Sequence, residues 1–171
     1  GELEDAFLVA HEACQKSRNP DGSWGKLEDG GKAAYRSPAN VTLGYLYAFE
    51  AMGSTELKEL AIGGLDYLVS EQEECGAYRW WKAGYPDGVM NQRAPFYDTG
   101  WAGLALAEGY RVTNDSRYLD AVRGAADWTM TCPYTGNNNY DAFALWFLSL
   151  LYEFTGESHY LDAAINRTRG G

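Results

Sequence analysis

Two short segments of this chain place an aspartate beside aromatic residues at the start of an apolar, helix-like stretch. Tyr97 and Asp98 form the first pair, and Tyr140 and Asp141 form the second. Two carboxylates that face one cleft can supply the acid and the base for glycoside cleavage or for the addition of water. Aspartate is also a preferred helix N-cap, and its recurrence in both segments is what capping predicts. Both roles therefore stay open for Asp98 and Asp141.

Aromatic side chains near these aspartates form a candidate substrate-binding surface. Such rings stack on flat sugar rings, and an arginine can pair with the carboxylate of a uronate. The candidates are Trp80, Trp81, Tyr85, Arg93, Tyr97 and Trp101, together with Tyr140 and an earlier set of Trp24, Tyr35 and Arg36. The alternative is that these rings fill small cores within their own loops.

The charge of the chain limits the class of its partners. Its 171 residues carry a formal net charge of -10, which argues against nucleic acid or an anionic membrane as a partner. No apolar run approaches the ~20 residues that span a bilayer. No signal segment stands at the N-terminus, so we expect a mature chain without a signal peptide.

No residue pattern indicates a metal ion or another cofactor. The cysteines, Cys14, Cys75 and Cys132, are too scattered for a disulfide framework or a zinc site. We expect them to be small buried side chains. Nucleophile triads, phosphate loops and metal-ligand spacings are not recognisable in the sequence.

Three N-x-S/T sequons favour an extracellular or cell-surface protein. They lie at Asn40, Asn114 and Asn166. Asn114 has a second explanation, because asparagine accepts the left-handed conformation that ends many helices.

An internal repeat indicates how these residues are positioned. Residues 113–121 match residues 155–163 at six of nine positions, 42 residues later. A further copy starts at Gly63, where the sequence matches that at Gly124 with an offset of 61 residues. Repetition at such periods predicts stacked supersecondary units.

Each repeat has the pattern of two helices joined by a tight turn. Residues 38–52, 98–113 and 141–155 are apolar on nearly all sides, which predicts inner helices. Residues 55–73, 116–131 and 158–168 combine an apolar stripe with a charged face, which predicts outer helices. The segment from Glu2 to Gln15 has the pattern of a further outer helix.

The turns and loops between these helices carry their own signals. Gly53, Asn114 and Gly156 fall at equivalent helix ends, and Ser54 and Asp115 follow as N-cap candidates. The connection after the outer helix of residues 55–73 is 19 residues longer than the connection after residues 116–131, and it is rich in aromatic residues. Long ordered loops within a compact domain are usually functional.

Helical hairpins in an inner and an outer layer, repeated at this length, resemble the α/α-toroid proteins. These include six-hairpin glycosidases, related polysaccharide lyases and terpene cyclases. Gln15-x6-Gly22-Ser-Trp24 and Gln72-x3-Gly76-Ala-Tyr78 are similar to the Gln…Gly-x-Trp motif of terpene cyclases, although the third hairpin lacks the Gln. The aspartate-rich signatures of those cyclases and the zinc ligands of prenyltransferases are absent from the sequence.

The segment Tyr97-Asp98-Thr99-Gly100-Trp101 is similar to the start of an inner helix in the unsaturated-glucuronyl hydrolases. In that family the aspartate of the Asp-x-Gly-aromatic motif does acid/base work, which the resemblance implies for Asp98. Tyr97 stands where those enzymes usually carry a histidine.

We therefore predict an all-α fold, an incomplete (α/α) toroid of about seven helices formed by residues 1–171 as a single domain. The resemblance implies a carbohydrate-active or carbohydrate-binding protein that acts on uronic-acid-containing glycans. The opposing hypothesis is a non-catalytic extracellular module that self-associates through its open ends, because a contact that does not close gives a filament.

Overall fold

A computed structural model describes residues 2–27, 33–79 and 90–169. These residues form seven α-helices. They are α1 (Glu2–Lys16), α2 (Arg36–Met52), α3 (Thr55–Glu71), α4 (Met90–Thr113), α5 (Ser116–Thr131), α6 (Asn138–Thr155) and α7 (Ser158–Arg169). The predicted alternation is confirmed, because α2, α4 and α6 pack side by side and each pairs with the helix that follows it.

The helices of the two layers differ in how much of their surface is buried. In the inner helix α4, every residue from 102 to 109 is buried, as expected for a helix enclosed on all sides. In the outer helix α5, Tyr118, Val122 and Ala125 are buried, whereas Asp120 and Asp127 are exposed. The hydrophobic core therefore lies between the layers. Its largest fully buried side chains include Trp24, Tyr78, Tyr118, Phe96 and Phe147.

Left-handed residues end the inner helices at the predicted positions. The φ angles are 70° at Gly53, 56° at Asn114 and 69° at Gly156. Each of these residues donates its backbone N–H to the carbonyl four residues earlier, at 2.7 to 2.8 Å. The turn chemistry predicted for all three hairpins is confirmed, and Asn114 has a structural role that needs no glycan.

The prediction of N-caps at the outer helices is only half right. The side chain of Asp115 accepts a hydrogen bond from the backbone N–H of Arg117 at 2.9 Å and caps α5. Ser54 precedes α3 in an extended conformation, but its hydroxyl makes no capping hydrogen bond.

Two further expectations need correction. Helix α4 begins at Met90, eight residues before the predicted start, and continues through Pro95. Cys75 is exposed, and Cys14 and Cys132 are only partly buried, so the expected burial of the cysteines is wrong for Cys75. Burial raises the pKa of the Cys132 thiol.

None of the helices that the structure describes has the length and apolarity needed to cross a membrane.

Candidate functional site

Asp98 and Arg36 meet at the end of the inner layer where α2 begins. Arg36 is the first residue of α2, and its Nε donates to Oδ1 of Asp98 at 2.5 Å. The side chain of Asp98 is only 2% exposed, whereas that of Arg36 is 44% exposed. The fold thus pairs two predicted site residues that lie 62 positions apart.

The capping interpretation is wrong for both aspartates. Asp98 lies eight residues after the first residue of α4, too far into the helix to be its N-cap. The N-cap of α6 is Asn137, whose side chain accepts from the backbone N–H of Asn139 at 3.1 Å. Asp141 lies in the first turn of α6, behind that cap.

Arg36 and Tyr140 cover Tyr97. The guanidinium carbon of Arg36 lies 4.7 Å from the centre of the Tyr97 ring. The ring of Tyr140 stacks on Tyr97 with centroids 4.5 Å apart and an interplanar angle of 29°. Protein groups therefore already occupy the stacking positions on Tyr97 that a sugar would need.

Trp101 and Tyr140 present the remaining aromatic surface. Trp101 is partly exposed and lies 4.1 Å from Phe143, centroid to centroid. Gly100 permits this approach, because a Cβ there would lie 2.9 Å from the Cβ of Phe143. Phe143 was missing from the sequence prediction. The repeat offset of 42 residues places it in register with Trp101 and could have identified it.

Asp141 has a different environment from Asp98. Its Oδ1 accepts from Nη1 of Arg167 at 3.0 Å, and its Oδ2 accepts from Oγ1 of Thr135 at 2.5 Å. Both side chains of the ion pair are less than 10% exposed. Asp141 therefore holds a loop and a helix together and presents no carboxylate to a cleft.

The repeat explains why the two aspartates differ. With the ends of α4 and α6 aligned, Asp141 is in register with Thr99 and not with Asp98. Thr99 Oγ1 accepts from the backbone N–H of Tyr78 at 2.9 Å, and Asp141 Oδ2 accepts from the backbone N–H of Thr135 at 3.3 Å. Both side chains anchor the loop that precedes their helix.

Trp24 and Tyr35 lie in the core. Trp24 is fully buried, with its ring 5.6 Å from that of Tyr45. Tyr35 packs edge-on to Tyr78 at 5.4 Å, and burial raises the pKa of its hydroxyl to about 12. Neither ring offers an open face for stacking on a sugar.

The remaining predicted site residues lie in or beside the segment between residues 79 and 90. Trp80, Trp81 and Tyr85 lie outside the described residues, and only the backbone of Arg93 is described, within α4. Within the described part of the chain, no three His, Cys, Asp or Glu side chains gather closely enough to hold a metal ion.

No protein-family model and no curated protein matches the chain. The structure is similar to the selenomethionine derivative of a GH76 alpha-mannanase from Bacteroides thetaiotaomicron. The TM-score is 0.74 at 17% sequence identity, over 99% of this chain and 54% of that chain.

This likeness establishes the fold. The chain is an all-α, incomplete (α/α) toroid, as predicted from the repeat, and it spans about half the length of that mannanase.

Proposed function

We propose that this chain is a carbohydrate-active toroid module that binds a glycan beside Asp98 and uses Asp98 in glycoside cleavage. The observation that carries the proposal is the buried carboxylate paired with a half-exposed arginine next to the partly exposed rings of Trp101 and Tyr140. Buried polar groups that converge beside an aromatic surface are typical of small-molecule sites.

The environment of Asp98 favours a particular chemical role. The guanidinium of Arg36 stabilises the charged form of a neighbouring carboxyl group. An ionised carboxylate can act as a nucleophile or activate water, whereas the acid that protonates the leaving group must be another residue. We therefore assign Asp98 the base or nucleophile role. Arg36 orients the carboxylate through the bond from its Nε.

Charge favours a neutral glycan over a uronate. The positive charge of Arg36 is already balanced by Asp98. The net charge of -10 also repels a polyanion. The likeness to an alpha-mannanase makes an α-mannoside the first substrate to test, and the motif similarity to glucuronyl hydrolases makes an oligouronide the second.

Exchanging Asp98 for asparagine tests the catalytic role. We expect Asp98→Asn to lower the hydrolysis of a soluble α-manno-oligosaccharide by about 100-fold or more, because acid–base groups contribute roughly 10²–10⁴-fold. Binding of the same sugar should change little. Trp101→Ala should weaken binding about five- to tenfold by removing a stacking partner. Reducing-end release and calorimetry measure the two effects.

Tyr152→Ala is the matched control, because Tyr152 is an exposed aromatic residue near the other end of α6. It should leave both activity and binding unchanged. Full turnover by a folded Asp98→Asn protein would exclude the assigned role. If the wild-type chain neither binds nor cleaves mannosides or uronides, the glycan proposal is wrong.

Exposed apolar residues support self-association as a second candidate function. Trp146 on α6 is 48% exposed, and Val9 on α1 is 70% exposed. A cavity of about 300 Å³ between α1 and α2 is lined by Phe7, Val41 and Gly44, among others. We propose that Trp146 of one copy enters this cavity of another. Because the two surfaces differ, such contacts repeat from copy to copy and give a closed ring or an open filament, depending on the rotation between copies.

Sedimentation tests this candidate. The mass of the wild-type chain should rise above 18.9 kDa as its concentration increases, whereas Trp146→Ala should remain monomeric. Tyr152→Ala again serves as the control and should associate like the wild type. A wild-type protein that stays monomeric at high concentration would rule self-association out.

A further inference from the structure

The outer surface of the arc contains two equivalent seams, where the loop after one outer helix crosses the next outer helix. In the second seam, Gly76 lies against Gly124, and a Cβ at Gly76 would be 2.0 Å from the carbonyl oxygen of Gly124. Gln72 closes this seam, because its Nε2 donates to the carbonyls of Gly76 at 3.0 Å and Ala121 at 2.7 Å.

The first seam has the same glycine contact but a longer loop. Gly22 lies against Gly63, 61 positions before Gly124. Six residues separate Gln15 from Gly22, whereas three separate Gln72 from Gly76. The extra residues leave a groove of about 850 Å³ between this loop and α3. Its polar lining includes Gln15, Arg18, Asn19, Asp21, Asp66 and Ser70.

Internal hydrogen bonds hold the loop wall of this groove. The backbone N–H of Asn19 donates to the carbonyl of Ser23 at 2.8 Å, and its Nδ2 donates to the carbonyl of Gly25 at 3.1 Å. Asp21 Oδ1 accepts from the backbone N–H of Ser23 at 2.9 Å and from its hydroxyl at 2.6 Å. The wall is therefore formed before any ligand binds, which lowers the entropic cost of binding.

The opposite wall is held in the same way. Asp66 on α3 accepts from the hydroxyl of Tyr118 at 2.9 Å and pairs with Arg117 at 3.2 Å. Across the groove, the guanidinium of Arg18 lies 5.9 Å from the centre of the Trp24 ring. The groove thus carries side chains of both charges together with amide and hydroxyl groups.

We infer that this groove, here called the outer groove, is a second glycan-binding site. Its volume lies within the roughly 300–1,000 Å³ of ordinary ligand sites. The groove offers hydrogen-bond donors and acceptors on positively charged, negatively charged and neutral side chains. This mixture suits the hydroxyls of a neutral oligosaccharide better than an ion of either sign. The inference rests on the proposed action on glycans but concerns outer helices, away from Asp98 on the inner helix α4.

Gly63→Gln tests the outer groove, because it adds a side chain at the groove floor. The new Cβ would lie 3.4 Å from Nη2 of Arg18, an ordinary contact, and helix propensity rises when an interior glycine is replaced. Ala51→Gln is the matched control, since it adds the same side chain at an exposed position of α2 that lies outside the lining of the groove.

The probe is a soluble α-manno-oligosaccharide, titrated by calorimetry and by amide chemical shifts. We expect the wild type and Ala51→Gln to bind two molecules. Gly63→Gln should lose the site whose amide shifts map to residues 15–22, with an affinity loss of at least tenfold. Trp101→Ala should weaken only the other site.

The outcomes separate the two proposals. Unchanged binding in Gly63→Gln, with weakened binding in Trp101→Ala, overturns the outer groove and keeps the site at Asp98. If Gly63→Gln abolishes binding and Trp101→Ala leaves it intact, the outer groove is supported and the site at Asp98 is overturned. If the wild-type chain binds no sugar, both fail.

Discussion

Replacing Arg167 with methionine lowers the free energy of unfolding by about 3–5 kcal/mol, because it leaves a buried carboxylate without its partner. Arg167 donates to Asp141 and also to the carbonyls of Thr129 at 2.5 Å and Cys132 at 2.9 Å. Its guanidinium carbon lies 4.6 Å from the centre of the Phe96 ring. One side chain thus joins α7 to α6, α5 and α4.

Urea denaturation of Arg167→Met measures this loss against a total stability of roughly 5–15 kcal/mol for a domain. Arg169→Met is the matched control, since Arg169 is exposed two residues later on the same helix, and we expect it to cost less than about 0.5 kcal/mol.

The double variant Asp141→Asn/Arg167→Met should recover part of the loss, because no buried charge remains. If Arg167→Met is as stable as Arg169→Met, the buried ion pair contributes nothing to the free energy of unfolding.

Gly76→Ala is expected to be the most damaging single-methyl substitution in the described chain. Gly76 has a φ of 89°, a conformation that costs an L-residue about 1–2 kcal/mol. The added Cβ would also collide with the backbone of Gly124, and overpacking costs about 1–3 kcal/mol more. We expect a total loss near 3 kcal/mol or above, measured by urea denaturation.

Gly136→Ala separates the two contributions to this loss. Gly136 also has a positive φ, 70°, but a Cβ there meets nothing within 4 Å. It should show only the conformational cost. Equal losses in both variants would contradict a close backbone contact at Gly76.

The helical hairpins were predictable because their signals are local. Gly53, Asn114 and Gly156 recur at fixed places in the repeat, and each ends an inner helix as predicted. The start of α4 was not predictable in the same way, because two further helical turns precede Asp98 and contain Pro95, a residue type that ordinarily ends or kinks a helix. The residues at which a helix begins and ends depend on tertiary packing more strongly than the presence of the helix does.

The candidate site was only partly predictable. Asp98 was identified from a short motif, but its pairing with Arg36 depends on how α2 and α4 pack, which no local pattern contains. Asp141 was matched to Asp98 through the shared Tyr-Asp dipeptide. Alignment of the helix ends shows that its true counterpart is Thr99, so the structural register outweighs a two-residue match.

Burial decided the roles of the other aromatic candidates. Trp24 has the same residue type as Trp101, yet it is enclosed by the core. The sequence around Trp24 contains a polar loop, which suggested an exposed ring. Packing of that loop against α2 and α3 encloses the indole, and this packing is a tertiary feature.

Gly76 and Gly124 bring the loop after α3 into direct contact with α5. Two main chains touch there with no side chain between them, so this contact between neighbouring hairpins consists of atoms that substitutions at other positions leave unchanged. Charges on the exposed face of α5, such as Asp120 and Asp127, can therefore be exchanged without disturbing this contact. That face of α5 is a surface whose charge can be redesigned while the junction between the hairpins is kept.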